Sequence, residues 1–436
     1  MYPVWEVPGL TAGMVLAMIA TFHILPSHLS TSAMWFNVYV ETKANRENRP
    51  ELLEFIKKYT LLLLIFAYVF GSLSGIGIWY AATVASPRGI SGLIHNYVWG
   101  WATEWVFFIM EITGIFIYYY TLGKVDRRTH LKIGWIFAIA SWTTMVVITG
   151  ILAFMISPGK WPATGGFFDG FFNQTYWPQL LMRSTLMFAI AGAYAIAVAS
   201  RMKDGEARKF VTRAAAAWGM GGVLVGAILL YWYVRALPAG PAGLAATLVS
   251  GSTKAGMGIA AALVFLYFLF TAAKPSAVRL SVAIVALFVV FGGIWSIERA
   301  RETARKPYII PLYMYSNQII GKDIPSKGVK AEIAQVSEKG ILNTTPFVPQ
   351  DLREVTDSNV MAMGRMIALI ECSSCHTLST WGLRPMRRMV QRAGLKDVQT
   401  AEGLLDGLDG YPFMPPFAGT GPEKRALATY LASLNK

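Results

Sequence analysis

Only two cysteines occur in the 436 residues, and they stand in the run Cys372-Ser373-Ser374-Cys375-His376. A close cysteine pair in an oxidising compartment forms a disulfide, but a histidine directly after the second cysteine makes this the attachment pattern of a c-type haem. The spacing has a chemical reason: two thiols add to the two vinyl groups of one porphyrin, and the adjacent imidazole is held beneath the iron as proximal ligand. A sixth ligand is expected downstream, where Tyr411-Pro412-Phe413-Met414-Pro415-Pro416-Phe417 offers a thioether in a proline-stiffened loop. Met414 is the expected ligand, with Met386 and Met389 as competitors. A His376/Met414 pair gives low-spin, high-potential iron suited to electron transfer. After the loop, Leu427, Tyr430, Leu431 and Leu434 recur at helical spacing and form a face able to pack on the haem edge.

A second set of reactive side chains lies in segments that are otherwise nearly free of charge, where each ionisable group costs free energy and tends to face a site. His23 is followed by His28 about one and a half turns on. Glu104 and Glu111 are one heptad apart, which puts both on one helix face. Glu298 and Glu302 close the last apolar segment. His95 and His130 fall between apolar segments, where ordinary solvated roles are expected. His23 alone reads as a hydrogen-bonded core histidine, but buried carboxylates nearby and a haem motif on the same chain make it a candidate iron ligand.

These groups must be positioned by membrane helices. Apolar residues make up 54% of the chain, and several stretches of about 20 residues are long enough to cross a hydrocarbon core. Eight spans are expected near residues 10–38, 59–84, 101–122, 133–156, 179–200, 214–235, 255–273 and 278–299, with ends good to about three residues. The net charge of +14 sits in loops rather than on one amphipathic face, which argues against nucleic acid as a partner. Lys and Arg crowd the loops after spans one, three, five and seven, so those loops are expected to be cytoplasmic, with the N-terminus and everything after span eight outside. The first apolar segment lacks a basic leader and continues as a full span, so no cleavable signal is expected. Composition turns ordinary after Trp295, and three regions follow: a membrane haem domain over 1–306, an extracytoplasmic linker over 307–350 and a small helical haem domain over 351–436. The fold class is all-α, a polytopic bundle plus a small helical domain.

Two resemblances carry these readings further. From about residue 355 onward, the attachment motif, the Met-Pro-Pro loop and a final helix follow in the order of a class I cytochrome c. Over most of residues 1–310 the chain resembles subunit I of the cytochrome bd oxidase superfamily. The likeness rests on Thr21-Phe22-His23, the Gly71 to Gly77 stretch Gly-Ser-Leu-Ser-Gly-Ile-Gly, the Phe107 to Glu111 run, Leu122-Gly123-Lys124-Val125, and Glu302-Thr303-Ala304-Arg305-Lys306-Pro307-Tyr308. The last is close to the family's Glu-Tyr-Gly-Arg-Gln-Pro-Trp. The resemblance implies that His23 binds an iron of a haem pair, that Glu302 is the carboxylate ligand of the neighbouring high-spin haem, and that Arg305 lies beside a haem propionate. Glu111 matches a glutamate associated with protons; Glu104 lies near a second, at a spacing one residue shorter.

The sequence also departs from that family. Gln179 to Tyr194 holds no histidine for a low-spin haem b; Arg183 and Leu186 occupy the neighbourhood, and Lys254-Ala255-Gly256-Met257 stands where the opposing methionine belongs. The external loop used for quinol is reduced to Ala236 to Gly243. The expected cofactors are therefore one covalent haem c and two non-covalent haems of b or d type, in a multi-pass protein of a bacterial-type inner membrane with its haem c domain on the periplasmic side. Dioxygen reduction with cytochrome c as donor is the reaction the resemblance favours. A non-catalytic electron-transfer subunit of a larger respiratory complex is the alternative, and reduction of nitric oxide at the same haem pair is a third. Expected partners are a second bd-like membrane subunit, periplasmic cytochromes or redox enzymes, and lipid. The aromatic and Gly-rich face from Ala214 to Leu230 serves either the partner subunit or, as the default for such a stripe, lipid-facing or intra-bundle packing.

Overall fold

A computed structural model describes residues 5–346 and 348–435. Eight helices are long and apolar enough to cross a membrane: Ala12–Glu47, Pro50–Ala85, Pro87–Thr121, Arg127–Phe154, Tyr176–Ala199, Glu206–Arg235, Gly251–Ala273 and Leu280–Ala304. They are numbered here as the first to eighth spans, and the chain is a multi-pass, all-α bundle. Several ends carry sequence-local caps: Thr11 accepts from Met14 N at 3.2 Å, Asp126 from Thr129 N at 3.0 Å, and Ser250 from Thr253 N at 3.2 Å. Each cap satisfies a backbone donor that the helix itself leaves unpaired.

The helices overrun their apolar stretches, because hydropathy marks only the part suited to lipid while helical bonding continues into polar sequence. The first span runs on to Glu47, paired with Lys43. The third begins at Pro87, a favoured first-turn proline. That moves His95 from the expected loop onto a helix, exposed, with Nδ1 donating to Ser91 O at 2.8 Å. Tyr97, at φ −127° and ψ 31°, kinks this helix. The short segment after the sixth span is likewise not a bare loop: it forms the helix Ala239–Leu248, which lies against the eighth span.

Span one is the hub, packing on the second, fourth, fifth and eighth spans. Spans five and six approach closely along Ala215, Gly219, Gly222 and Gly226; a Cβ on Gly222 would meet Thr185 O at 2.6 Å. The small residues of 214–230 are thus used inside the bundle, while Leu224, Val225, Ile228 and Tyr231 point outward.

Residues beyond the eighth span pack against the end of the bundle formed by spans three to five and the segments between them. Tyr308–Ile310 and Met314–Tyr315 form a short antiparallel hairpin, a small exception to the all-helical expectation. Tyr313 packs edge-on against Trp161 at 5.2 Å, and Arg88 binds Glu332 at 2.6 Å. Helices Val360–Glu371, Met386–Ala393, Val398–Asp406 and Gly421–Ser433 then enclose their own apolar core. The first and last of these cross at Gly364, where any Cβ would collide with the Ala426 carbonyl and Tyr430. The start of the chain fastens this unit to span one: Leu383 N donates to Gly9 O at 3.1 Å, Gly9 N to Ser379 Oγ at 3.2 Å, and Arg365 pairs with Glu6 at 2.6 Å. With eight spans, both chain ends must lie on one side of the bundle, and these contacts place them there.

Candidate functional site

His23 is half-buried in span one, one turn before Pro26. Pro26 has no N–H, so the carbonyl of Phe22 loses its helical partner. The ring Nδ1 lies 3.1 Å from Gly71 O and 3.2 Å from Ser74 Oγ on span two. A carbonyl only accepts, so Nδ1 carries the proton and the Nε2 lone pair is left for a ligand. Span two is built for this approach: Leu63–Phe70 is wound as a π-helix just before Gly71, a local widening common at functional sites. Gly75 faces the ring, where a Cβ would stand 3.2 Å from Cε1.

The carboxylate of Glu302, near the end of the eighth span, lies beside Gly13 at the start of span one. Arg305 grips it through Nη2 at 2.8 and 2.7 Å, while the buried Arg305 Nε has no acceptor among the described residues. Gly13 makes room for the carboxylate; a Cβ there would meet Glu302 Oε1 at 2.6 Å and Ser374 O at 3.5 Å. Ser374 belongs to the cysteine motif. Farther along, Phe22 meets Phe291 at 5.0 Å, as antiparallel packing of spans one and eight requires. Ten residues of helix separate Gly13 from His23, about 15 Å, so imidazole and carboxylate are two stations along one helix rather than two ligands of one centre.

The motif itself is a tight turn after Val360–Glu371: Cys375 N and His376 N both donate to Cys372 O, at 3.0 and 2.9 Å. The two cysteines are not joined in a disulfide. His376 Nδ1 donates to Arg384 O at 3.3 Å, again leaving Nε2 open. Arg384 has φ +50°, a left-handed conformation costing an ordinary residue about 1 kcal/mol. Burial, with Lys306 and Arg384 nearby, brings the His376 imidazole down to about 4, so it is neutral at pH 7. Burial raises the Cys372 thiol far above its ordinary range. Burial acts in the same sense on Cys375, but Lys306, Arg384 and Ser316 together outweigh it and hold that thiol below its ordinary value. Glu371, just before Cys372, accepts from Asn317 Nδ2 at 2.7 Å, and burial pushes its carboxyl up to about 8. Met414 is half-buried in a turn closed by its N–H on Tyr411 O at 3.2 Å. Met386 is buried in the core of the C-terminal unit and Met389 is half-buried.

Comparison with solved structures adds the fold context. A bd oxidase from Geobacillus thermodenitrificans matches over 70% of this chain and 89% of its own, with a TM-score of 0.58 at 12% identity. The membrane part has a bd-oxidase-like fold. No family model and no curated protein matches the sequence.

Glu111 is buried at the heart of this bundle, accepting from Thr144 Oγ1 at 2.6 Å and Tyr68 OH at 3.2 Å. Tyr68 is less than one turn from Gly71, so Glu111 and His23 meet neighbouring residues of span two. Glu104 is half-buried on the same face of span three, near enough to act electrostatically on Glu111.

One cluster escaped the sequence reading. His130, expected to be solvated, is 2% exposed. Its Nδ1 meets Glu41 Oε1 at 2.7 Å and its Nε2 meets Tyr118 O at 2.9 Å, while Tyr118 OH donates to Glu41 Oε2 at 2.6 Å. Both ring partners accept, so the two bonds together call for an imidazolium beside a carboxylate. The position looked like loop because His130 stands in the basic first turn of span four, and only the packing of spans one, three and four closes over it. Among the described residues no three His, Cys, Asp or Glu side chains gather as a bare-metal site; haem iron needs only one or two axial protein ligands.

Proposed function

We propose that this chain is a membrane redox subunit in which a covalent haem c on the outer side exchanges electrons with haems held inside a bd-oxidase-like bundle. Cys372 and Cys375 attach the haem c, His376 is its proximal ligand and Met414 its distal one. His23 and Glu302 hold the two membrane haems, of b or d type, and Arg305 binds a haem carboxylate. The donor chemistry fits. Both imidazoles have Nδ1 committed to a carbonyl, which orients Nε2, and Arg305 Nε is a buried donor in need of an acceptor. When bound, the haems supply one-electron chemistry and a place for a small ligand.

The observation that carries this reading is the wedge at Gly13, against which both the Glu302 carboxylate and the Ser374 backbone pack. Cysteine motif, carboxylate and imidazole thus follow one another down span one. Glu111, hydrogen-bonded by Thr144 and Tyr68, is the group that holds and passes protons near the imidazole station, with Glu104 beside it. Electrons enter from a periplasmic cytochrome or redox enzyme, and reduction of dioxygen is the reaction that best uses paired electron and proton supply. A second bd-like membrane subunit and surrounding lipid are the partners this fold implies.

A non-catalytic relay to a larger respiratory assembly is the second reading. It is favoured by the helix Ala239–Leu248, which leaves no long loop for quinol between spans six and seven.

Spectra of the purified chain separate the two. A carbon monoxide difference signal and oxygen consumption with reduced cytochrome c support the oxidase, whereas haems inert to carbon monoxide support the relay. His23→Ala is expected to remove one membrane haem and spare haem c. Retention of every haem in that variant defeats the ligand assignment.

A further inference from the structure

Lys306 follows the eighth span directly, and it is 8% exposed. An ammonium group out of water is costly unless an anion or several hydrogen bonds compensate it. Its neighbours on the chain are engaged elsewhere: Arg305 holds Glu302, and Pro307 O accepts from Ser316 N at 2.7 Å. Ser316 Oγ in turn lies 3.7 Å from Cys375 Sγ, so the strand leaving the membrane is laid across the second attachment cysteine. Lys306 has no ion-paired carboxylate among the described residues, and the strand it begins is tied through Pro307 and Ser316 to Cys375, close enough for its charge to act on Cys375 and His376. Once that sulfur is a thioether it carries no charge and accepts only weakly. The lysine is then a buried cation at the haem c attachment site, one residue from the arginine that grips the membrane carboxylate.

Resting on the redox reading above, we propose that Lys306 tunes the haem c site electrostatically, its buried charge favouring the ferrous state of haem c. Ferric iron carries one more positive charge than ferrous, so a nearby buried cation destabilises the oxidised form. A unit charge about 10 Å from a redox centre, at an effective dielectric of about 20, changes its oxidation equilibrium on the order of tenfold. Arg384 is the other cation acting on His376, but its carbonyl orients that ring, so it is left unaltered in the test.

The test is an optical redox titration of the haem-loaded full chain carrying Lys306→Gln, Lys306→Arg or, as an exposed control, Lys396→Gln. Covalent haem is verified on denaturing gels by haem staining. Lys306→Gln is expected to lower the ferrous-to-ferric ratio of haem c about tenfold at a fixed ambient potential, with Lys306→Arg restoring it and Lys396→Gln leaving it unchanged. An unaltered ratio in Lys306→Gln, or an equal fall in Lys306→Arg, overturns the proposal. If Lys306→Gln attaches no haem, the comparison of Lys306→Arg with Lys306→Met decides on the same criterion. Absence of covalent haem from the unaltered chain is a different result, for it sinks the redox reading itself.

Discussion

Gly13 is the place to strike at the contact between the two halves of the molecule. A Cβ at this position would stand 2.6 Å from Glu302 Oε1 and 3.5 Å from Ser374 O; the first distance is too short to survive, so the carboxylate must move. Two effects oppose each other. Replacing a helical glycine by alanine gains about 1 kcal/mol of propensity, while forcing a methyl into a packed site costs about 1–3 kcal/mol. Gly13→Ala is therefore expected to fall between neutral and about 2 kcal/mol destabilised. Gly13→Val adds two methyl groups and loses most of the propensity gain, because a β-branched side chain is restricted in a helix. It also displaces Glu302 from Arg305, a charge-assisted contact worth about 1.5–3 kcal/mol. The assay counts haems in the purified chain and follows reduction of the membrane haems after mixing with reduced cytochrome c. Gly13→Val is expected to keep haem c attached while either losing the Glu302-side haem or slowing membrane-haem reduction at least about tenfold, the counterpart of about 1.4 kcal/mol on the barrier. Full haem content with reduction at the unaltered rate would refute the claim that this wedge joins the two redox stations.

Two further outcomes are expected. Glu41→Gln or His130→Gln alone breaks a buried pair and should destabilise the bundle by about 3–5 kcal/mol, with the double variant costing less than the sum because it leaves no unpaired charge; thermal unfolding in detergent measures this, and strict additivity would mean the pair is not coupled. The Glu371 carboxyl, raised to about 8 in the folded chain, holds a proton that the unfolded chain has already released, so stability falls as pH rises from about 5 to 8, by up to about 1.4 kcal/mol per unit. Glu371→Gln should flatten that slope in denaturant titrations followed through haem c absorbance, and an unchanged slope would show that another group is responsible.

What was legible beforehand is what depends on local chemistry. The Cys-Ser-Ser-Cys-His run suggests haem attachment because that chemistry needs two thiols and an imidazole on one turn, and the eight spans announce themselves because lipid tolerates so few charges. His23 and Glu302 were visible as ionisable groups in apolar surroundings, yet the tautomer of His23 depends on a carbonyl of another helix, and that carbonyl is presented by a π-helical stretch that hydropathy does not register. His130 was misread for a similar reason: a histidine in a basic first turn looks solvated until three helices close over it and supply a carboxylate and a carbonyl. Neither could the chain alone tell that Gly13 separates a carboxylate from a cysteine motif more than seventy residues beyond it. Such contacts join residues with no common local pattern, and only the packing of span one against span eight, with the C-terminal unit fastened above them, decides which groups share a site.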